Sequence, residues 1–193
     1  GVALLDESAR LAAGLVDAPR GTLRVTASVT FGKLCLAPLI PEFLARYPEI
    51  ELQLTLLDRF VDLVDEGYDV ALRLTRTPPD QVVAKALMPV RYRLCSTVNA
   101  INGRKIETPA DLAGHNCLHY GLREFGNEWR FQRDDDEVRV RVTSNVVVNN
   151  SEVVRDLLLA DMGIGLVWNY AVDREIADGR LISLLPDWTP VGP

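Results

Sequence analysis

The polar residues best placed to do chemistry form a short segment between a predicted strand and a predicted helix. Ser28-Val29-Thr30 follows an alternating apolar run from Leu23 to Ala27 and, with Phe31, begins a helical pattern. The first backbone N–H groups of a helix have no partner within it, and the helix dipole favours negative charge there. The segment is therefore predicted to bind an anionic group, although its hydroxyls could equally serve only as a helix cap.

A second segment of the same kind occurs later in the chain. Asn149-Asn150-Ser151 follows the apolar strand predicted at Val146–Val148 and precedes a helix whose apolar face begins at Val153. Asn and Ser are favoured N-cap residues, so a purely structural cap is again the alternative. If both segments bind ligand, each contributes backbone N–H groups and neutral side chains rather than a charge.

Charged and aromatic candidates follow other predicted strands. Arg73 follows the third strand, and its guanidinium could hold a carboxylate through two hydrogen bonds; as a solvated loop residue it would have no such role. Asp58 follows the second strand and could equally be a turn residue. The remaining candidates are the loop residues Thr75 and Arg76 and the aromatic residues Tyr120 and Trp168, although a buried aromatic is more often part of a core.

The inventory for catalysis is poor. The sequence contains no GxSxG, P-loop, GxGxxG or HExxH motif. His115 and His119, its two histidines, alternate with Cys117 along one predicted strand, but three side chains on one strand splay too far apart for a tetrahedral metal site. We therefore predict no catalytic residue, no metal and no cofactor.

Composition excludes other classes of function. The 193 residues are 48% hydrophobic and 25% charged, with a net charge of −6, and no basic stripe could neutralise DNA phosphates. No apolar run is long enough to span a bilayer. The three cysteines are scattered and the start has no signal-peptide pattern, so free thiols and a cytoplasmic location are expected.

The elements that must position these residues alternate between strand and helix. Ile50–Leu56 reads as a strand, Asp134-Asp135-Asp136 as a hairpin turn, and Thr108-Pro109 as a helix start. Repeated alternation predicts an α/β fold in which helices cover a mostly parallel sheet.

Six segments, in this order and spacing, resemble the effector-binding domain of LysR-type transcriptional regulators. They are LRVTASVTFG, LAPLIPEFLARYPEIELQL, VDLVDEGYDVALRL, ETPADLAGHNCLHYG, NNSEVVRDLLLADMGIGLV and GRLISLLPDW. The resemblance implies two Rossmann-like α/β subdomains with a ligand cleft between them, similar to periplasmic type 2 solute-binding proteins. Residues 1–20 would be the end of a linker helix and a hinge, residues 21–90 plus 181–193 subdomain I, and residues 91–180 subdomain II.

The resemblance also implies a function. A small-molecule effector, expected to be a carboxylate or aromatic acid, would bind in the cleft and change the geometry of a DNA-bound oligomer. The sensing domains would form a homodimer, the whole regulator a tetramer, and DNA would be bound only by an N-terminal winged helix-turn-helix that this sequence lacks. The family commonly has Gly where Thr75 stands and often Pro where Trp168 stands, which leaves the loop and the ligand shape specific to this chain.

The residues expected to contact effector are Ser28, Val29, Thr30, Phe31, Asp58, Arg73, Thr75, Arg76, Tyr120, Asn149, Asn150, Ser151 and Trp168. A transport-type solute-binding protein of the same fold is the alternative, and an export signal upstream would favour it. An enzyme is disfavoured because no catalytic constellation is present.

Overall fold

The chain forms two compact units that divide between Pro89 and Val90, next to the boundary predicted between the subdomains. The structure is a computed structural model that describes residues 18–59, 61–75, 78, 81–121 and 127–191. Most of the predicted linker and hinge at residues 1–20 lies outside these residues.

The first unit contains a three-stranded parallel sheet. Its strands are β1 (Gly21–Ala27), β2 (Ile50–Leu56) and β3 (Val70–Leu72), in the order β2-β1-β3. The register places Ala27 level with both Leu56 and Leu72. All three strands therefore end at the same edge of the sheet, and the residues that follow them meet there.

An irregular helical segment connects β1 to β2. It begins as α1 (Val29–Phe31), continues through a π-helical turn (Gly32–Leu36) and a 3₁₀ turn (Ala37–Leu39), and ends as α2 (Ile40–Arg46). A Cβ atom at Gly32 would overlap the end of the Leu56 side chain, so the absent side chain lets the segment pack closely on β2. Phe43 is fully buried, whereas Val25, Ala27, Leu36 and Leu72 form the core beneath the sheet.

The described residues of the second unit form eight strands in two sheets. The five-stranded sheet has the order β10 (Ile182–Ser183), β4 (Tyr92–Ser96), β9 (Ile164–Trp168), β5 (Cys117–Tyr120), β8 (Val147–Val148). The other sheet has the order β11 (Thr189–Val191), β6 (Glu128–Arg133), β7 (Asp136–Arg141), and its hairpin turns where predicted. The helices are a 3₁₀ segment (Pro109–Gly114), α3 (Ser151–Leu159) and α4 (Asn169–Ala177).

Alternation along the five-stranded sheet divides the core of this unit in two. Cys117 and Leu166 face the layer built from Trp129 and Phe131 of the hairpin sheet. Leu118 and Val167 face the opposite way, toward Val154, Leu158 and Val172 on the helices, as period-two side chains must.

The predicted assignment of residues 181–193 to subdomain I is corrected by strand pairing. The described residues of this segment belong to the second unit, because β10 pairs antiparallel with β4 and β11 pairs antiparallel with β6. A tight turn after α4, in which Gly179 has φ +73°, reverses the chain toward the free edge of β4. Local pairing therefore determines where this segment lies.

Two smaller predictions also differ from the structure. The strand predicted at Val82–Leu87 is absent, and Val83 is fully exposed. Val147, predicted to be in a buried strand, is 55% exposed because β8 is an edge strand. Within the described residues, no helix has the length and apolar character needed to cross a bilayer.

Candidate functional site

In the first unit, a residue that follows another strand caps the helix after β1. The backbone N–H of Val29 donates to Asp58 Oδ1 at 2.9 Å. Ser28 occupies the N-cap position, but its side chain makes no capping hydrogen bond, and its buried Oγ has no partner. The carboxylate of Asp58 thus occupies the place where the sequence predicted a bound anion, and the Ser28 hydroxyl is left unused.

Arg73 lies at the same edge, and its guanidinium is held by hydrogen bonds to residues of the sheet. Its Nη2 donates to the fully buried Thr26 Oγ1 at 2.8 Å, and its Nη1 donates to the Leu72 carbonyl at 3.2 Å. Its buried Nε has no partner. Desolvation by burial lowers the pKa of Arg73, and the nearby Asp58 carboxylate acts in the opposite direction. A guanidinium held in this way keeps its unpaired Nε–H at a fixed place.

The structure brings together only part of the first predicted set. Asp58 contacts the segment at Val29 and influences Arg73 electrostatically. Thr30 is buried, and Phe31 packs against the core of the unit. Thr75 is exposed, and Arg76 lies outside the described residues.

In the second unit, the helix after β8 is capped by its own sequence. Asn150 Oδ1 accepts from the N–H groups of Glu152 at 2.9 Å and Val153 at 3.1 Å, so the predicted cap is confirmed. Ser151, at the first helical position, is 1% exposed, and its Oγ has no partner. Asn149 is exposed. As in the first unit, one serine hydroxyl at the helix start is buried and unused.

Aromatic residues form the rest of this edge. β5 runs parallel to β8 and β9, and Tyr120 is level with Val148, so Tyr120 and the segment that begins at Asn149 share the carboxyl edge. Trp168 ends β9 and stacks on Tyr92, with ring centroids 4.0 Å apart and planes 19° apart. The arrangement offers a flat apolar surface beside neutral hydrogen-bonding groups.

The buried cysteines of the second unit are poor nucleophiles. Burial raises the pKa values of the Cys95 and Cys117 thiols to about 12, so neither is a thiolate nucleophile near neutral pH. Within the described part of the chain, no three His, Cys, Asp or Glu side chains are placed to hold a metal ion.

Sequence reasoning missed two residues that organise these edges. Thr26 holds Arg73, and Tyr92 carries the stack with Trp168. The available signal for Thr26 was its place between the apolar residues Val25 and Ala27 at the end of β1. Tyr92 is close to Trp168 only because β4 and β9 are antiparallel and the two residues are level, which local sequence does not show.

Comparison with known proteins identifies the family. Residues 17–193 match the LysR substrate binding domain. The chain belongs to this family. The prediction made from the six segments is thereby confirmed, together with the α/β fold of two subdomains that resemble periplasmic type 2 binding proteins.

Curated relatives of this LysR domain are named as transcriptional regulators. The probable HTH-type transcriptional regulator LtrA of Klebsiella pneumoniae is 31% identical over 170 residues, which cover 88% of this chain and 55% of LtrA. The HTH-type transcriptional regulator CrgA of Neisseria meningitidis is 32% identical over 178 residues, which cover 90% of this chain and 58% of CrgA. The chain thus spans a little over half the length of these relatives. They are regulators rather than enzymes, in agreement with the predicted class.

Solved structures give the same fold. The structure of CrgA from Neisseria meningitidis aligns with a TM-score of 0.80 at 27% identity, covering 97% of this chain and 65% of that chain. The CrgA regulatory domain alone aligns with a TM-score of 0.76 at 28% identity, covering 89% of this chain and 87% of that chain. The LysR domain described here therefore corresponds to a regulatory domain rather than to a whole regulator.

Proposed function

We propose that this LysR domain is the effector-sensing and oligomerisation module of a bacterial transcriptional regulator. A small carboxylate or aromatic acid would contact the carboxyl edge of the sheet in each unit, as the family resemblance implies. The observation that carries the proposal is shared by both edges: a buried serine hydroxyl without a partner, Ser28 in one unit and Ser151 in the other, at the start of a helix.

Unpartnered buried polar atoms support a ligand because leaving them unpaired is costly. A carboxylate could accept from Ser28 Oγ and from Arg73 Nε, both of which lack partners now. The Asp58 carboxylate would repel a second negative charge at short range, so the effector is expected to approach Arg73 rather than displace Asp58 from Val29. An aromatic portion would lie on Tyr92 and Trp168.

Signalling would follow from differential affinity. The effector changes the regulator only if it binds one arrangement of residues 21–90 and 91–180 more tightly than another. In the whole protein, that change would alter the geometry of a dimer or tetramer, and DNA would be bound by an N-terminal domain outside this sequence. The module would work in the cytoplasm, where the free thiols of Cys35, Cys95 and Cys117 are expected to persist.

A thermal-shift screen of this chain against aromatic acids, short dicarboxylates and amino acids tests the sensing proposal. A ligand that binds only the folded state raises the melting temperature saturably. Ser28→Ala and Ser151→Ala are then expected to leave the unliganded melting temperature nearly unchanged, since their hydroxyls make no hydrogen bond, but to reduce the ligand-induced shift. Ser183→Ala, in the exposed part of β10, is the matched control.

A ligand whose effect survives both serine substitutions would overturn the proposed contacts. Oligomerisation is tested separately by gel filtration with light scattering across a range of concentrations. The helices at 38–47 and 152–162 are the proposed interface, and a monomer at high concentration would contradict it.

A further inference from the structure

A pocket of about 280 Å³ lies in the second unit, away from the residues proposed to contact effector. It is at the amino ends of β5 and β9 and beside the turns that follow β4, whereas Tyr120 and Trp168 stand at the carboxyl ends of the same two strands. Its volume is close to the lower limit for ligand pockets, roughly 300 Å³, which suits a small molecule. The lining includes Asn102, Arg104, His115, Asn116, Asp161 and Met162.

Part of the lining carries a positive charge. Arg104 Nη1 donates to the Gly114 carbonyl at 3.2 Å, and no described acid forms an ion pair with this guanidinium. Burial first and the Arg104 charge second lower the pKa of the half-buried His115, with Asp111 acting in the opposite direction. No described residue forms a hydrogen bond with the His115 ring. Guanidinium N–H groups and a neutral imidazole are therefore available to an anionic group.

Another part of the lining carries a negative charge that neutral donors hold in place. Asp161 accepts from the Thr97 hydroxyl through Oδ1 and from the Asn99 amide through Oδ2, the latter at 3.2 Å. These two hydrogen bonds lower the pKa of Asp161, so its carboxylate is ionised near neutral pH. Asp161 forms no ion pair with Arg104 or with any other described cation. Its charge is therefore available to a cationic group.

We propose that this pocket binds a small zwitterion, with its carboxylate at Arg104 and His115 and its ammonium group at Asp161. A simple anion would leave the Asp161 charge unpaired, and a simple cation would leave that of Arg104 unpaired. A molecule with both charges pairs each of them. Met162, which is 38% exposed, would contact the carbon chain between the two groups. The ligand class is thus a small amino acid, and the site is separate from the proposed sensing role.

NMR with selective labels tests the proposal, because the chain has two histidines and two methionines and one of each lines the pocket. Protein labelled with ¹⁵N-histidine and ¹³C-methyl-methionine reports binding at His115 and Met162, with His119 and Met88 as internal references. Glycine, β-alanine and 4-aminobutanoate are the probes, since they carry the same two charges at increasing separation. At least one is expected to shift the His115 and Met162 signals saturably and to leave the references unchanged. Failure of all three to saturate would overturn the proposal.

Sodium acetate and methylammonium chloride, each with one of the two charges, are the matched probes. Each is expected to need a concentration about fivefold higher than the best zwitterion, roughly the effect of losing one exposed ion pair. Saturation by acetate at the same concentration as the zwitterion would show that Asp161 has no part in binding, and would overturn the assignment.

Variants identify the two charged partners. Arg104→Gln is expected to raise the saturating zwitterion concentration about fivefold, and Asp161→Asn to remove the preference for zwitterion over acetate. Asn suits this position because Asp161 has φ +61°, a conformation that Asn tolerates. Lys105→Gln, which removes an exposed charge beside Arg104 but outside the lining, should titrate like the unsubstituted protein. An unchanged titration in either the Arg104 or the Asp161 variant would contradict the proposal.

Two further titrations locate the site. Ser151→Ala is expected to leave the zwitterion response unchanged, and a lost response would place binding at the carboxyl edge instead, against the proposal. Asp161 and Met162 also end the segment 152–162 proposed as an interface, so the titration is repeated at two protein concentrations. Equal saturating concentrations support a site within one chain, and a dependence on protein concentration would replace it with a site completed by a second copy.

Discussion

The two units solve the same local problem, the first turn of a helix that follows a strand, in different ways. In the second unit Asn150 caps α3 from the adjacent position, and the cap is complete within four residues. In the first unit Ser28 makes no cap, and Asp58, 29 residues further along the chain, accepts from Val29 instead. The free N–H groups at the start of a helix can thus be paired by a neighbouring residue or by one far away in the sequence. Only a cap from a neighbouring residue can be recognised in a short stretch of sequence.

The side chains beside each helix start also differ in chemical type. The first edge has charge, in Asp58 and an Arg73 anchored on buried Thr26. The second has the neutral stack of Tyr92 on Trp168. The first edge is therefore suited to a charged group and the second to an aromatic one.

The largest expected effect is on the aromatic edge. Trp168→Ala removes a half-buried ring and its stack with Tyr92, and should lower the free energy of unfolding by about 2 kcal/mol, roughly half the cost for a fully buried tryptophan. Urea unfolding followed by far-UV circular dichroism measures the change. Trp168→Phe, which keeps a ring on Tyr92, is the control and should recover at least half of the loss. Equal losses in both variants would contradict the stack.

The local cap is the next test of the comparison. Asn150→Ala should cost about 1 kcal/mol, because the N–H groups of Glu152 and Val153 lose their acceptor. Amide hydrogen exchange should be faster in α3 and unchanged in the first unit. Asn149→Ala, at an exposed position with no such role, serves as the control. Equal effects at the two positions would show that the cap contributes little.

The tertiary cap is expected to contribute less. Asp58→Ala removes the acceptor of the Val29 N–H, but this carboxylate is exposed and water can replace it, so we expect a loss of about 0.5 kcal/mol. Exchange should accelerate at Val29 and not in α3. Asp65→Ala, an exposed acid in the turn before β3, is the control. A loss larger than that of Asn150→Ala would reverse the order proposed for local and tertiary capping.

The stability of the second unit should fall as the pH is lowered from 7 to 5, whereas that of the first unit should not change. Burial lowers the pKa values of His115 and His119, both in the second unit. The unfolded state therefore binds protons first as the pH falls, so this unit loses stability below about pH 6.5, the ordinary histidine value, until the folded-state pKa values are passed. The first unit, without histidine in its described residues, should not respond in this window. Hydrogen exchange measured between pH 7 and pH 5 reports the two units separately, and equal responses would be inconsistent with histidine as the cause.

Much of the local structure was predictable because it depends on residues within each segment and not on contacts with distant ones. Alternation at Leu23, Val25 and Ala27 matches β1, and the strand predicted at Ile50–Leu56 matches β2. The predicted hairpin turn lies where Asp134 adopts φ +51°, a conformation that Asp tolerates. These features depend on side-chain period and turn chemistry, which neighbouring residues determine.

Predictions failed where they depended on which strands are neighbours in a sheet. The family resemblance implied that residues 181–193 belong to the first subdomain, but the described part of them pairs with β4 and β6 of the second unit. Val147 was predicted to lie in a buried strand and is exposed, since β8 is the edge strand of its sheet among the described residues. Sequence period gives a strand its two faces but does not identify its neighbours.

The sequence by itself determined the family, most of the strands, and the segments at which the helices begin. Only the tertiary structure decided that Asp58 caps Val29, that Thr26 anchors Arg73 across 47 residues, and that Tyr92 stacks on Trp168. The reason is physical: propensity, period and capping act between residues a few positions apart, whereas these contacts exist only after the register of paired strands has fixed which distant residues are level.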